Sequence, residues 1–287
     1  MTHPTFTIAT SVFNLVKMRF SWVEAFENWL SFLAGTGQLV IAVNTSDDGT
    51  PEAIREWAAK WQAEHPESAT RVDILDIAIP YSNPAFDGMG KAAATAVATE
   101  PYVILLDCDE RVNPRQRRKW DVLARELEVS PYEAFLVPVV DLIGDERHYK
   151  ADHLLCAKWY IHKRLPHLTR GVVKHAWNPD GVTWDTSKSD SCELINRETG
   201  QLARAASILA PGLPHYLTVP QLESGEIPFV YHLGYLDMEQ RVRQSAFWRG
   251  VWDERAGQPG KEPETTLATL EAIPRYRHNL PSWRETR

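Results

Sequence analysis

"VILLDCDERVNP", residues 103–114, runs a stretch of apolar residues straight into three carboxylates, Asp107, Asp109 and Glu110. A strand covered on both faces reads as such a continuous branched run. The acids then mark the point where it leaves the core. Because strand side chains alternate, Asp107 and Asp109 are expected on one side and Cys108 on the other. Two carboxylates a few ångströms apart repel unless a proton or a cation lies between them. Mg²⁺ or Mn²⁺, which take oxygen ligands and keep positions open for phosphates, would relieve that repulsion. Capping of the turn before Pro114 would also employ these acids. The stretch alone leaves both readings open.

Its neighbours repeat one alternation. "TFTIATSVF" (5–13) reads as a strand, "SWVEAFENWLSFLAG" (21–35) as a helix stopped by a glycine, and "QLVIAV" (38–43) as a strand. "TPEAIREWAAKWQAEH" (50–65), with Pro51 in its first turn, predicts a helix. Strand "RVDILDI" (71–77), a helix around "GMGKAAATAVATE" (88–100) and strand "PYVILLD" (101–107) complete the series. Four strands alternating with three helices predict an α/β fold, a mostly parallel sheet with helices on both faces. Ligands bind such sheets at the carboxyl ends of strands. Asp107 and Asp109 therefore belong to the rim of the expected crevice.

Beyond the helix predicted over 115–129 the pattern loosens: strand-like "AFLVPVVDLIG" (134–144), polar stretches with "NPDG" and "TSKSDS", and an amphipathic helix over 237–255. With no linker or repeat, we expect one domain over 1–256, elaborated in its second half. The Pro- and Gly-containing remainder, 257–287, reads as a peripheral tail. Ordinary hydrophobic (44%) and charged (24%) fractions over 287 residues exclude disordered and collagen-like classes. Three cysteines at wide spacing, Cys108, Cys156 and Cys192, fit neither a disulfide framework nor a zinc ribbon. No apolar run approaches the roughly 18 residues of a membrane span, and the first residues lack a signal-peptide pattern. A cytoplasmic protein without a membrane anchor is the expectation. Eleven tryptophans offer either core bulk or flat faces for sugars and bases.

The order "TIATSVFN", "LVIAVNTSDDGT", "FDGMGKAAATAVATEPYVILLDCDERVNP" resembles the nucleotide-sugar glycosyltransferases of the family 2 type, which have the GT-A fold. The resemblance is good over about residues 5–115, looser over 160–177 and 229–250. It implies a GT-A, Rossmann-like fold with a nucleotide-sugar and metal half (1–115) and an acceptor half (116–256). It implies a Mn²⁺- or Mg²⁺-dependent hexosyl- or pentosyltransferase, inverting, with a nucleotide-sugar donor of the UDP type. Asp107 would lie near the ribose or metal, and Asp109 would be the main metal ligand in this DxD motif. Glu110 matches the third acid of the family's "DADE". Lys91 matches a basic residue that approaches the diphosphate, and His232 in "YHLGY" a late histidine that completes the metal site. Asp48 matches the last acid of a turn that contacts the base. Asn44 stands where the family usually has an Asp, in a turn one residue shorter. The family's general base lies near "G-x-x-H-E"; here "GVVKHAW" keeps His175 but has Ala176. The base is thus left among Asp180, Asp185, Asp190 and Glu193, with Asp190 and Asp185 favoured by "WDTSKSDSCEL".

Residues 147–175 hold seven lysines and arginines against one acid, Asp152, within a chain of net charge −7. Five histidines and the aromatic Tyr149, Trp159 and Tyr160 are interleaved. Such a segment suits a phosphate-bearing acceptor, or is a solvated wall. Lys158, Trp159, Lys163, Arg164, Arg170, His175 and Trp177 are the candidate acceptor contacts. Two hydroxyl-bearing acceptors compete: a glycan or lipid-linked saccharide, and DNA with a hydroxymethylated pyrimidine such as hydroxymethylcytosine. The second would be a phage-type DNA modification, placing the enzyme in the host cytoplasm, with Trp159 or Trp177 stacking on a flipped base. A sugar nucleotidyltransferase would need a glycine-rich loop after the first strand, whereas the first glycine is Gly35. A non-catalytic nucleotide-sugar-binding protein would keep the acids without needing them.

Overall fold

A computed structural model describes residues 3–80, 83, 86–150, 157–171, 193–208, 223–224, 227–256, 265–280 and 282–284; the side chains of 157–159, 171, 193, 207 and 248–256 fall outside that description. Strands β1 (Phe6–Val12), β2 (Gln38–Asn44), β3 (Arg71–Ile77) and β4 (Tyr102–Leu105) run parallel in the order β4-β1-β2-β3. Every residue of β2 is buried, as its unbroken apolar run requires of a strand covered on both faces. Helices α1 (Trp22–Leu33), α2 (Thr50–Glu64) and α4 (Arg117–Val129) cover one face around Phe26, Trp29, Phe32 and Trp120. Helix α3 (Phe86–Ala96) covers the other, where small residues Ala9, Val40, Ala42 and Ala94 let it sit close. Its Gly90 lies so near β1 that a Cβ there would be 2.1 Å from Ser11 Oγ.

Helix α1 does not stop at Gly35 as its sequence suggests. Ala34 already takes the left-handed position, φ 54°, and its N–H reaches the carbonyls of Leu30 and Ser31. The Cβ penalty there, about 1–2 kcal/mol, is carried by a helix whose inner face is locked by aromatic contacts.

The second half extends the same sheet on the side of β4. Strands β6 (Ala134–Ile143) and β8 (Ala157–Lys163) join it, β8 antiparallel to both β4 and β6. Strand β12 (Val230–Tyr235) pairs parallel with β6 and antiparallel with the short β5 (Glu110–Val112). Strand β11 (Ala205–Ser207) adds to β6, while β9 (Leu168–Gly171) and β10 (Glu193–Asn196) form a separate ribbon. The result is a single α/β domain with a mixed, mostly parallel sheet. Helix α5 (Met238–Ala256) follows β12 where the sequence marks a helix, but its apolar residues do not gather on one face as an amphipathic helix requires.

The stretch that reads as a peripheral tail is packed where it is described. Helix α6 (Leu267–Glu271) precedes β13 (Arg275–Arg277), which pairs with β7 (His148–Lys150) at the sheet's edge. Trp283 is buried against Tyr231, and Arg284 pairs with Glu24 and Glu146. Trp29, Trp120 and Trp283 are core bulk, not sugar platforms. Among the described residues no helix is long and apolar enough to cross a membrane.

His162 on β8 carries a pH prediction. Burial, with Arg170 adding to it, pushes its imidazole from the usual 6.5 down to about 3. Below pH 6.5 the unfolded chain therefore binds a proton that the fold refuses, and stability falls as pH drops toward 3. Between pH 6.5 and 5 the loss from this residue should be ~2 kcal/mol. Urea midpoints of wild type and His162→Phe across that range should show a shallower slope for the variant; equal slopes would refute the assignment.

Candidate functional site

Strand β4 ends at Leu105, two residues before the first acid, so Asp107 and Asp109 are carried by a turn and not by strand alternation. The turn is closed by the Glu110 N–H donating to the Asp107 carbonyl at 2.8 Å. In return the Asp107 N–H donates to the Glu110 carboxylate at 2.9 Å. Glu110 is 1% exposed and also accepts from the Tyr160 hydroxyl. It therefore fixes the turn from below and does not face solvent. Burial raises the Tyr160 pKa well above its usual value, and Glu110 adds to the shift, so Tyr160 stays a donor. Cys108 is buried, and burial lifts its thiol far above its usual pKa, which makes it a packed side chain and not a nucleophile.

From this turn the two aspartates reach different partners. Asp107 Oδ1 lies 2.9 Å from Lys91 Nζ, whose ammonium also lies 2.8 Å from Asp87 Oδ2 one turn earlier on α3. Asp109 Oδ2 lies 3.3 Å from His232 Nε2 on β12. The other ring nitrogen, Nδ1, is 2.6 Å from Asp141 Oδ1 on β6. Strand pairing delivers these groups: His232 stands opposite Glu110 on β5 and opposite Asp141 on β6, and the Leu233 N–H donates to the Asp109 carbonyl at 2.7 Å. All sit at the carboxyl ends of β1 and β4, the rim where an α/β sheet binds ligands. The cleft there measures about 300 Å³, and its walls include Phe13, Phe86, Phe247 and Arg241. A larger hollow of about 670 Å³ between α1 and α2, lined by Trp57 and Trp61, lies away from these acids.

The donor set, one carboxylate and one imidazole, could hold a divalent cation. Among the described residues no group of three His, Cys, Asp or Glu side chains closes around one point. A Mg²⁺- or Mn²⁺-type site that shares its ion with substrate phosphates needs only one or two protein carboxylates. Adjacent ligands of an octahedral ion with bonds of about 2.1 Å stand roughly 3 Å apart, close to the 3.3 Å between Asp109 Oδ2 and His232 Nε2. Gly234 keeps that space open: a Cβ there would come within 2.7 Å of His232 Nε2 and 3.3 Å of Asp109 Oδ2.

The other candidates from the sequence are placed differently. Asn44 is 1% exposed, and its amide exchanges two hydrogen bonds with the Ile79 backbone, at 2.7 and 2.8 Å. That pins the segment after β3 and leaves the amide no face toward a nucleotide. The Asp48 carboxylate accepts from the Lys17 and Thr50 N–H groups at 2.7 and 3.0 Å, tying the start of α2 to the segment after β1. Burial would raise its pKa, but those donors outweigh burial and hold it below the usual range. Neither residue lines the cleft.

Lys163 and Arg164 are placed away from Asp107. Because β8 is antiparallel to β4, Lys163 pairs with Tyr102 at the amino end of β4, on the rim opposite Asp107. Lys163 Nζ donates to the Ser130 carbonyl and Arg164 Nε to the Glu100 carbonyl, both at 3.1 Å. Arg170 is buried beside His162. None of the three is among the described residues that line the cleft; for Lys163 and Arg164 the reason is the direction of β8, which the sequence does not show. The side chains of Lys158 and Trp159, and all of His175, Trp177, Asp180, Asp185 and Asp190, lie outside the described residues, as does the side chain of Glu193. Replacing Lys163 and Arg164 together by alanine should leave kcat/KM for transfer within about 2-fold of wild type, as for surface changes. A loss many times larger would return them to the acceptor path.

Sequence reasoning missed Asp87, Asp141 and Gly234. Asp87 was visible at helical spacing from Lys91; Asp141 and Gly234 acquire meaning only through the pairing of β6 with β12. No protein-family model matches the chain, and no curated protein matches its sequence. Among solved structures, S. aureus TarS 1–349 is similar at a TM-score of 0.45 and 11% identity, covering 88% of this chain and 70% of that one. The same protein in complex with UDP gives a TM-score of 0.43 at 11% identity, covering 88% and 70%. Its complex with UDP-GlcNAc gives 0.39 at 12% identity, covering 88% of this chain and 71% of that chain.

Proposed function

We propose that the chain is a metal-dependent glycosyltransferase that moves a sugar from a nucleoside diphosphate sugar, of the UDP type, to an acceptor hydroxyl with inversion. The observation that carries the reading is one cleft at the carboxyl rim holding both the Asp109–His232 pair, with space kept by Gly234, and the Asp107–Lys91 pair. The resemblance of residues 5–115 to family 2 sequences points the same way.

A divalent ion held by Asp109 and His232 would supply Lewis-acid stabilisation of the departing diphosphate. The chain's own groups do the rest. Lys91 is held between two carboxylates and is 8% exposed. An incoming diphosphate competes with those carboxylates for its ammonium, placing a positive charge where leaving-group charge develops. Arg241 is poised on the cleft wall with its guanidinium 4.7 Å from the Tyr235 ring centre. Phe13, Phe86 and Phe247 form an apolar wall that excludes water from the anomeric carbon. The acceptor hydroxyl needs a general base on the opposite face, a role we assign to Asp190 or Asp185. For the acceptor, Lys158, Trp159, His175 and Trp177 remain the proposed contacts, and a glycan and hydroxymethylated DNA remain the two candidates.

The test is a panel of nucleotide sugars with Mn²⁺ or Mg²⁺ offered to simple glycosides, plain DNA and hydroxymethylcytosine DNA, read by mass spectrometry, with donor hydrolysis followed in parallel. Metal-dependent transfer or hydrolysis of at least one donor is expected. Failure to bind any nucleoside diphosphate with metal present would remove the reading.

A further inference from the structure

His232 stands between two carboxylates, Asp109 and Asp141. The His232 Nδ1–H points at Asp141 Oδ1 across 2.6 Å. In the neutral imidazole that hydrogen bond leaves Nε2 as the lone-pair nitrogen, since only one ring nitrogen then carries a proton. Nε2 in turn faces a carboxylate oxygen of Asp109 at 3.3 Å. A divalent cation seated between these two atoms, in the space that Gly234 keeps clear, would be ligated by both.

We infer that Asp141 is the positioning residue of this site: it fixes the tautomer and ring angle of His232 so that Nε2 presents its lone pair to a divalent cation shared with Asp109. This rests on the metal-dependent reading above and adds a residue that the sequence did not mark. The strands make the arrangement rigid. His232 and Asp141 are direct cross-strand partners in the parallel β6–β12 ladder, and the side chains of both are largely shielded, 17% and 19% exposed. The His232 ring also meets Tyr235 edge-on, with centroids 6.0 Å apart, which limits its rotation. A carboxylate that accepts from the far nitrogen of a ligating histidine raises the basicity of the near one, and losing such a partner costs about 10–100-fold in metal affinity.

The experiment is a Mn²⁺ titration of the full chain, alone and with UDP, followed by electron paramagnetic resonance. Free Mn²⁺ gives the affinity, and ¹⁴N coupling reports imidazole ligation. Wild type should bind Mn²⁺ with ¹⁴N coupling, and His232→Ala should lose the coupling. Asp141→Asn should weaken Mn²⁺ binding by about 10-fold and Asp141→Ala by up to about 100-fold, with altered coupling. Metal-free thermal melts and near-ultraviolet circular dichroism of both variants should match wild type, separating a positioning role from a collapsed fold. Should both Asp141 variants bind Mn²⁺ as wild type does, with unchanged coupling, Asp141 has no such role while the metal site stands. Should wild type bind Mn²⁺ without ¹⁴N coupling, the inference falls alone; should it bind no Mn²⁺, alone or with UDP, the metal-dependent reading falls and the inference with it.

Discussion

Asp109→Ala is expected to lower nucleotide-sugar turnover by about 10³-fold, or ~4 kcal/mol of transition-state stabilisation, while the protein stays folded. Both halves follow from where the residue is anchored. Its backbone carbonyl, which accepts the Leu233 N–H at 2.7 Å and joins the turn to β12, is untouched by the substitution. Its side chain faces the cleft and His232 Nε2. The neighbouring acid, Asp107, keeps its contact with Lys91, so the cleft retains its shape and loses one carboxylate. Removing one of several closely set negative charges also relieves repulsion. The thermal midpoint measured without metal should therefore hold or rise slightly. Single-turnover release of nucleoside diphosphate, with Mn²⁺ saturating, reads the effect. A variant that keeps more than about a tenth of wild-type turnover would show that Asp109 is not at the reacting centre, since one preorganised charge there is worth far more.

The parallel half of the molecule was legible because its signals are local. β3 occupies the seven residues its pattern marks, 71–77, and α2 begins at Thr50 with Pro51 behind it, as its first turn suggests. Burial on both faces makes β2 a continuous apolar word that needs no tertiary knowledge. What escaped depends on partners distant in sequence. Strand β4 looked long enough to carry Asp107; it stops at Leu105 because Glu110, held below by Tyr160 from β8, pulls the chain into a turn. Both acids still reach the rim, but by a route that alternation does not describe. The placement of the basic segment was hidden as well. Its composition is real, yet β8 runs against β4, and that direction sends Lys163 and Arg164 to the far rim. The C-terminal stretch, unremarkable in composition, joins the sheet because β7 offers an unpaired edge and Trp283 finds Tyr231. Local pattern thus named the parallel half of the sheet, and strand direction decided which charged residues share the cleft at its rim.

Arg111→Met should destabilise the fold by about 3–5 kcal/mol, the range for breaking a buried charge network from one side. Arg111 is 1% exposed, an unusual place for a guanidinium. Burial pulls its pKa down, and Glu24, at 3.7 Å, works against that. Its donors converge on three backbone carbonyls: Cys108 at 2.8 Å, Glu110 at 3.0 Å and Ser21 at 2.9 Å. Methionine fills much of the same volume but donates nothing, so the substitution strips donors from carbonyls that remain inside the protein. Two of those carbonyls belong to the turn that carries Asp107 and Asp109, and the third lies at the amino end of α1. The Trp29 indole N–H, which donates to the Glu110 carbonyl at 3.1 Å, would be the remaining tie between α1 and that carbonyl. Stability and activity should therefore fail together: a lower urea midpoint with an unchanged m-value, and weaker Mn²⁺ binding at temperatures where the variant is still folded. A loss of stability below about 1 kcal/mol, the scale of an ordinary surface change, would mean that the turn is held without Arg111. Full metal affinity in a destabilised but folded variant would separate the two roles, leaving Arg111 as a support for α1 and not for the acids it sits beneath.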